Sequence, residues 1–367
     1  MRTPGTSLRA SRGFNLTELM IAVTIGMLIM ATMTTIFVKN HDARLETERY
    51  GQQIENGRFA MQLLTDELRH SGYLAEYIPP TSLPATFLTK PDPCSISGTT
   101  IANVAAPAFL LHVQGYDNGA GAPTCISDLK AGTDVLVVRR ASTCAAGTAG
   151  CDAALTDGTL YFQASLCMPQ AGGAGVAGTE LASTNGQCPL CNDYFRLDVP
   201  SNLTLHVRNC TTVANLRSFV TRIYFVANND NAGDGIPTLK RAELGPGGFT
   251  IAPLVEGIEN LQVEYGIDQN GDGVPDVLTA DPDGLAATAC GAPAAPGVCN
   301  WWNAMSANVH VLARSTSITM GYTDSKTYTL GLKSDGTDNV VGPFGDSYKR
   351  HAYESVIRFT NPAIRRQ

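Results

Sequence analysis

Of 367 residues, 44% are apolar but only 16% are charged, against a usual charged share of about 25%. The 26 Lys plus Arg against 33 Asp plus Glu leave a net charge of −7, and no basic stripe lies beyond the N-terminus. That excludes a duplex-DNA binder whose affinity rests on neutralising phosphates, and the apolar content excludes a disordered chain. The length suffices for one large domain or two ordinary ones. A chain poor in charge and rich in Gly, Ala, Thr, Ser and Asn is expected to be β-rich, loop-rich and extracytoplasmic.

Residues 1–13, MRTPGTSLRASRG, carry Arg2, Arg9 and Arg12 and no acid. Phe14–Val38 follows, 25 residues with one charge, Glu18. As a helix it reaches about 38 Å, enough to cross a bilayer. The arginines ahead of it favour a cytoplasmic N-terminus, with the remaining chain outside. The run is longer than the apolar core of about 7–15 residues of a cleaved signal peptide. A plain anchor leaves Glu18 unexplained, because a carboxylate in hydrocarbon costs several kcal/mol and marks function.

Gly13-Phe14-Asn15-Leu16-Thr17-Glu18-Leu19 resembles the processing site of type IV prepilins. The resemblance implies that a prepilin peptidase cuts after Gly13, that the apolar segment is retained, and that the new amine on Phe14 is methylated. The leader takes three arginines with it, moving the net charge to −10. An α-amine has a reference pKa near 7.7–8.0 and is largely protonated at neutral pH. Glu18 can therefore neutralise such an amine, its own or a neighbouring subunit's, which is the docking role the resemblance gives it.

No proline occurs between Pro4 and Pro79, so one helix of roughly 85 Å is expected over residues 15–71. Residues 14–38 form its membrane or filament-core part and 39–72 an amphipathic continuation. In the latter, Ile54, Gly57, Met61, Leu64 and Leu68 make one apolar seam, with Glu46, Glu48, Arg49, Glu55, Arg58, Asp66 and Glu67 mostly off it. Arg69, His70 and Gly72 signal the stop. The seam is too short for a sustained coiled coil, so it is expected to pack on the head.

Residues 73–367 read as that head. Residues 73–130 are proline-rich and look irregular. Strand-like runs follow at Asp134–Arg140, Thr159–Gln163, Phe195–Val199, Leu203–Val207, Phe219–Val226, Leu261–Ile267, Val309–Ala313 and Tyr353–Phe359, several alternating as half-buried antiparallel strands do. Ten cysteines (Cys94, Cys125, Cys144, Cys151, Cys167, Cys188, Cys191, Cys210, Cys290 and Cys299) all lie beyond residue 90, an even set that fits disulfides formed outside the cytoplasm. Cys188-Pro-Leu-Cys191 has no second ligand pair for zinc and reads as structural. Cys144–Cys151 and Cys290–Cys299 suit local loops, and residues 90–215 suit a cysteine-rich insertion. The expected class is α+β and pilin-like: a long N-terminal helix, membrane-spanning in its first half, packed on a mostly antiparallel β head with long disulfide-tied loops.

Asp268-Gln269-Asn270-Gly271-Asp272-Gly273-Val274-Pro275-Asp276 matches the front of a calcium loop. Oxygen side chains stand at positions one, three, five and nine (Asp268, Asn270, Asp272, Asp276), and Gly273 stands at six. Thr279 replaces the expected glutamate at twelve. The competing reading is an Asx- and glycine-rich turn without metal. Asn228–Gly235 is a poorer version. The adjacent Trp301 and Trp302 would face opposite sides if they lay in a strand. No HExxH, GxSxG or P-loop lysine motif is present, and the six histidines are scattered. No enzymatic activity is expected.

Further resemblance lies in the Arg69-His70-Ser71-Gly72-Tyr73 helix exit, the Gly235-Ile236-Pro237-Thr238-Leu239 run, Val255–Glu259 leading into Leu261–Ile267, and the basic end Arg365-Arg366. In these the chain resembles the PilW group of minor pilins, and it is similar in organisation to the J-type minor pseudopilins of type II secretion. The resemblance implies a single-pass inner-membrane protein with a periplasmic head that then enters the pilus, near its tip. Its implied partners are other minor and major pilins and a large tip adhesin, and its implied roles are priming of assembly, twitching motility and adhesion. A secretion pseudopilin and a calcium-dependent tip adhesin are the alternatives.

Overall fold

The computed structural model describes residues 15–77, 79, 90–95, 111–151, 155–156, 158–167, 195–286 and 296–364. Gly13, Phe14, Cys188, Cys191 and Cys290 lie outside the described residues. Helix α1 runs from Leu16 to His70, 55 residues without a break. The chain divides into two units, residues 1–51 and 52–367, so α1 contributes to both.

In the first unit, no described residue covers the apolar helix: Leu16, Leu19, Met20, Ile21, Ile25, Leu28, Met30, Met33 and Phe37 are all exposed. Threonines within it turn their hydroxyls back on the helix. Thr24 donates to the Ile21 carbonyl, Thr32 to Leu28 and Ile29, Thr34 to Met30 and Thr35 to Thr32. A hydroxyl spent this way places no free donor on an apolar surface.

The second unit is built on two antiparallel sheets. The larger contains β1 (Val113–Tyr116), β2 (Val135–Ala141), β3 (Tyr161–Ala164), β4 (Phe195–Asp198), β5 (Arg217–Ala227), β6 (Thr238–Gly245) and β7 (Gly248–Glu256). Its order is β1-β2-β5-β3-β4, and β5 also carries the β6–β7 hairpin. The smaller has the order β13-β10-β8-β9, with β8 (Ile258–Ile267), β9 (Val277–Thr279), β10 (Ala304–Arg314) and β13 (Arg350–Arg358). Between β10 and β13 the chain makes a long excursion containing the hairpin of β11 (Tyr328–Leu332) and β12 (Asp338–Val341). Short helices α2 (Pro296–Trp302) and α3 (Thr360–Ile364) and 3-10 turns at Pro93–Ser95, Asp117–Gly119 and Pro200–Asn202 complete the described elements.

Alternation sets the layers. Leu261, Val263, Tyr265 and Ile267 of β8 join Ala307, Val309 and Val311 of β10, Leu136 and Val138 of β2, and Ala60, Leu64 and Leu68 of α1 in one core. The other face of the larger sheet has its own cluster around Val135, Val137, Ile223 and Phe225. The outer face of the smaller sheet is polar but covered: Glu264, Asn308 and His310 are buried beneath the β11 strand, whose Leu332 N–H donates to the Glu264 carboxylate at 3.0 Å. His310 Nε2 lies 3.0 Å from the same carboxylate.

Several expectations change. Residues 73–130, read as irregular, contain β1. Leu203–Val207 forms no strand; only His206 makes an isolated bridge, to Val213. The β6–β7 and β11–β12 hairpins were not expected at all. Trp301 and Trp302 end a short helix instead of lying in a strand, and both are buried. Disulfides join Cys94 to Cys125, Cys144 to Cys151 and Cys167 to Cys210. Cys299 is also disulfide-bonded.

Candidate functional site: the N-terminal helix and its seat in the head

Glu18 lies in the first turn of α1, exposed, and its Oε2 accepts the Asn15 N–H at 3.2 Å. A carboxylate there meets the positive end of the helix dipole and one of the amide hydrogens that no helical carbonyl reaches. It is the only charge in an apolar surface that runs around the whole helix from Leu16 to Val38. A helix apolar on every side needs lipid or other helices around it.

Helix residues from Gln53 onward are held differently. The buried side is Gln53, Gly57, Ala60, Leu64, Glu67 and Leu68, not the purely apolar seam read from the sequence. Ile54 and Met61 are only partly covered. Glu67, placed mostly off the seam by sequence, is buried at the centre of an ion network. Its Oε1 accepts Arg140 Nε at 3.0 Å and its Oε2 accepts Arg222 Nη1 at 2.6 Å. Arg222 also reaches Glu243 at 2.8 Å, and Arg241 reaches Glu243 at 2.8 Å. Burial raises the Glu67 pKa, but the two guanidiniums outweigh it and hold the carboxyl below its ordinary value of 4.5.

Two further contacts fix the helix. Gln53 Nε2 donates at 3.0 Å to the carbonyls of Ala313, near the end of β10, and Lys349, just before β13. Gly57 lets the Tyr353 ring lie on the helix backbone: a Cβ at residue 57 would fall 2.1 Å from a ring carbon. The helix exit is pinned by Gly72, whose N–H donates to the Arg139 carbonyl and whose φ is +67°. That φ is a left-handed conformation that suits glycine.

At the calcium-like loop, the Asp268 carboxylate accepts the N–H groups of Gly271 and Gly273 at 2.6 and 2.9 Å. The Asp276 carboxylate accepts those of Gln269 and Asn270. Asn270 and Asp272 accept the amides two residues on. The loop is thus an Asx-turn network that spends its oxygens largely on its own backbone. Among the described residues no group of three or more His, Cys, Asp or Glu side chains is gathered to hold a metal ion.

Buried charge also joins the two sheets. Asp134, beside β2, accepts Asn118 N–H at 2.8 Å and, from β8, Val263 N–H at 2.8 Å. Burial raises its carboxyl most, the two amides pull it back, and Asp117 adds repulsion, leaving it at about 7.

The family model described as Type IV Pilus-assembly protein W matches residues 223–361, from within β5 to within α3. No curated protein and no solved structure matches the chain. The family match supports a PilW-type protein with a role in type IV pilus assembly. It covers the smaller sheet, the excursion between β10 and β13 and the calcium-like loop, and it includes no part of α1.

Proposed function

We propose that this chain is a minor type IV pilin, processed between Gly13 and Phe14, N-methylated on Phe14, and incorporated near the pilus tip as part of the complex that primes assembly. Two independent features support this. The match to the pilus-assembly family rests on the head alone, while the prepilin-like motif and the bare apolar helix with Glu18 lie outside it. The observation that carries the reading is that helix: apolar all round, uncovered from Leu16 to Val38, with one carboxylate at its start.

Mechanistically the role is structural. The apolar helix is held first by the inner membrane and then by helices of other pilins, and Glu18 pairs with an N-terminal amine as subunits stack. Gln53, Gly57 and Glu67 fix the remaining helix to the head, so a pull on the filament core is transmitted to a folded domain. Twitching motility and adhesion follow from the pilus it helps to build. No catalytic step belongs to this reading. Deleting the chain from the producing cells tests it: surface pili disappear while protein secretion continues. Normal pili with failed secretion would assign the chain to a secretion pseudopilus instead.

Calcium at Asp268, Asn270, Asp272 and Asp276 is a separate proposal, favoured by four oxygen-bearing side chains in one tight loop with glycines at 271 and 273. Calorimetric titration with calcium decides it. Saturable heat that disappears in Asp272→Asn supports the site, and no heat at millimolar calcium removes it.

A further inference from the structure

Beside β1, which among the described strands pairs only with β2, the chain holds one of its own ammonium groups in an aromatic and acidic cage. Lys90 Nζ lies 4.7 Å from the centre of the Tyr116 ring and 5.6 Å from that of Trp301. It pairs with the Asp283 carboxylate and donates to the Gly115 carbonyl at 3.5 Å. Each wall is fixed by bonds that do not involve Lys90. Trp301 Nε1 donates to Asp283 Oδ1 at 2.8 Å, fixing ring and carboxylate together. The Asp283 N–H donates to Asp281, and Asn300 holds the Pro282 and Leu285 carbonyls on either side. Gln114, itself held by Arg139 at 3.0 Å, donates to the Tyr116 hydroxyl at 2.7 Å. Gly115 has no side chain, so Tyr265 and Trp301 close against the strand; a Cβ there would lie 2.3 Å from the Tyr265 hydroxyl.

Such a cage has the chemistry of a cation site: ring faces carry partial negative charge, and a carboxylate adds a full one. It opens to solvent on its carboxylate side, where the Asp283 side chain is 41% exposed and that of Lys90 23%, while Trp301 lies buried beneath the ammonium. We infer that Tyr116, Trp301, Asp283 and the Gly115 carbonyl form a binding site for a primary alkylammonium group. The chain fills it with Lys90, and a lysine side chain of a partner protein can replace that occupant. The two oxygen acceptors select a primary amine over a quaternary one, because only the former has N–H groups to donate. Lys90 competes as a tethered ligand, at an effective concentration of about millimolar, so the intact chain binds an added amine weakly.

The test uses the full chain in a maltoside detergent and follows the Trp301 indole N–H by NMR, with Trp302→Phe assigning the signal. The probe is N-acetyl-lysinamide, with choline as the quaternary comparison. Lys90→Ala is expected to bind the probe with a Kd in the millimolar range, at least fivefold tighter than the intact chain and at least threefold tighter than choline. Adding Asp283→Asn is expected to weaken it at least fivefold. Absence of a saturable shift in folded Lys90→Ala, or equal binding by the intact chain, overturns the proposal. So does choline binding as tightly as the lysine probe. Lys90→Gln serves as a second variant that keeps a polar side chain; if both variants lose a dispersed spectrum, Lys90 is a structural cation and the proposal fails.

Discussion

From Leu16 to Val38, α1 shows Leu, Ile, Met, Val and Phe around its whole circumference and buries none of them. From Gln53 to Leu68 the same helix buries one narrow side, and that side includes a glutamine and a glutamate. The first stretch is uniform and needs a surrounding apolar medium supplied by lipid or by other helices. The second is specific and needs one surface, with Arg140, Arg222 and Tyr353 at fixed places. Apolar surface is non-directional, so it suits a segment that exchanges lipid for protein neighbours. A buried ion pair tolerates only its own geometry, so it suits a joint that must not slide.

The sharpest way to break this contrast is to remove one carboxylate from each stretch. Glu67→Ala removes the carboxylate that Arg140 and Arg222 share, leaving Arg222 with Glu243, and is expected to destabilise the head by roughly 3 kcal/mol. Glu18→Ala is expected to leave the head's thermal melting unchanged while abolishing filament incorporation. Melting of the purified variants and immunoblots of sheared pili check both. Equal melting of the two variants would show that the Glu67 network does not anchor the helix.

Glycines offer a second, smaller contrast. Gly57→Val forces the side chain into the Tyr353 ring, and overpacking of this kind costs about 1–3 kcal/mol. Gly26 has nothing within 4 Å of its would-be Cβ, so Gly26→Ala is expected to leave denaturant unfolding of the head unaffected.

The pH dependence sharpens the account of the seat. Glu67's pKa is depressed in the folded state, so its contribution is present above 4.5 and is lost as pH falls through the lowered value. Asp134's pKa is raised from 3.8 to about 7. The native state therefore holds that proton more tightly, and this stability is complete below 3.8 and lost as pH rises through about 7. Asp134→Asn is expected to flatten the decline in denaturation midpoint between about pH 4 and about pH 7, and Glu67→Gln to flatten the loss below about pH 4.5. An unchanged slope in Asp134→Asn would remove this carboxyl as its cause.

The two stretches of α1 were unequally legible in the sequence. Composition alone marks a helix apolar on every side, and the absence of proline to residue 79 carries it through to His70. The buried side of the later stretch was misread at Glu67 because its partners lie 73 and 155 residues away along the chain. No helical periodicity reports a distant arginine. In the head, β2, β5, β8, β10 and β13 follow from alternating apolar residues. The β6–β7 hairpin was hidden because Lys240, Arg241 and Glu243 give β6 a charged surface and Pro253 interrupts β7, an edge strand where a missing N–H is tolerated. The helix that ends at Trp301 and Trp302 was not legible, because seven residues leave too little periodicity to see.

The most direct test of the central claim is the mass of this chain's N-terminal peptide in filaments sheared from the producing cells. The account predicts a peptide beginning at N-methylated Phe14, present in the filament fraction and carrying Glu18. A chain in that fraction that retains Arg2–Gly13, or one cut beyond Val38, would contradict it.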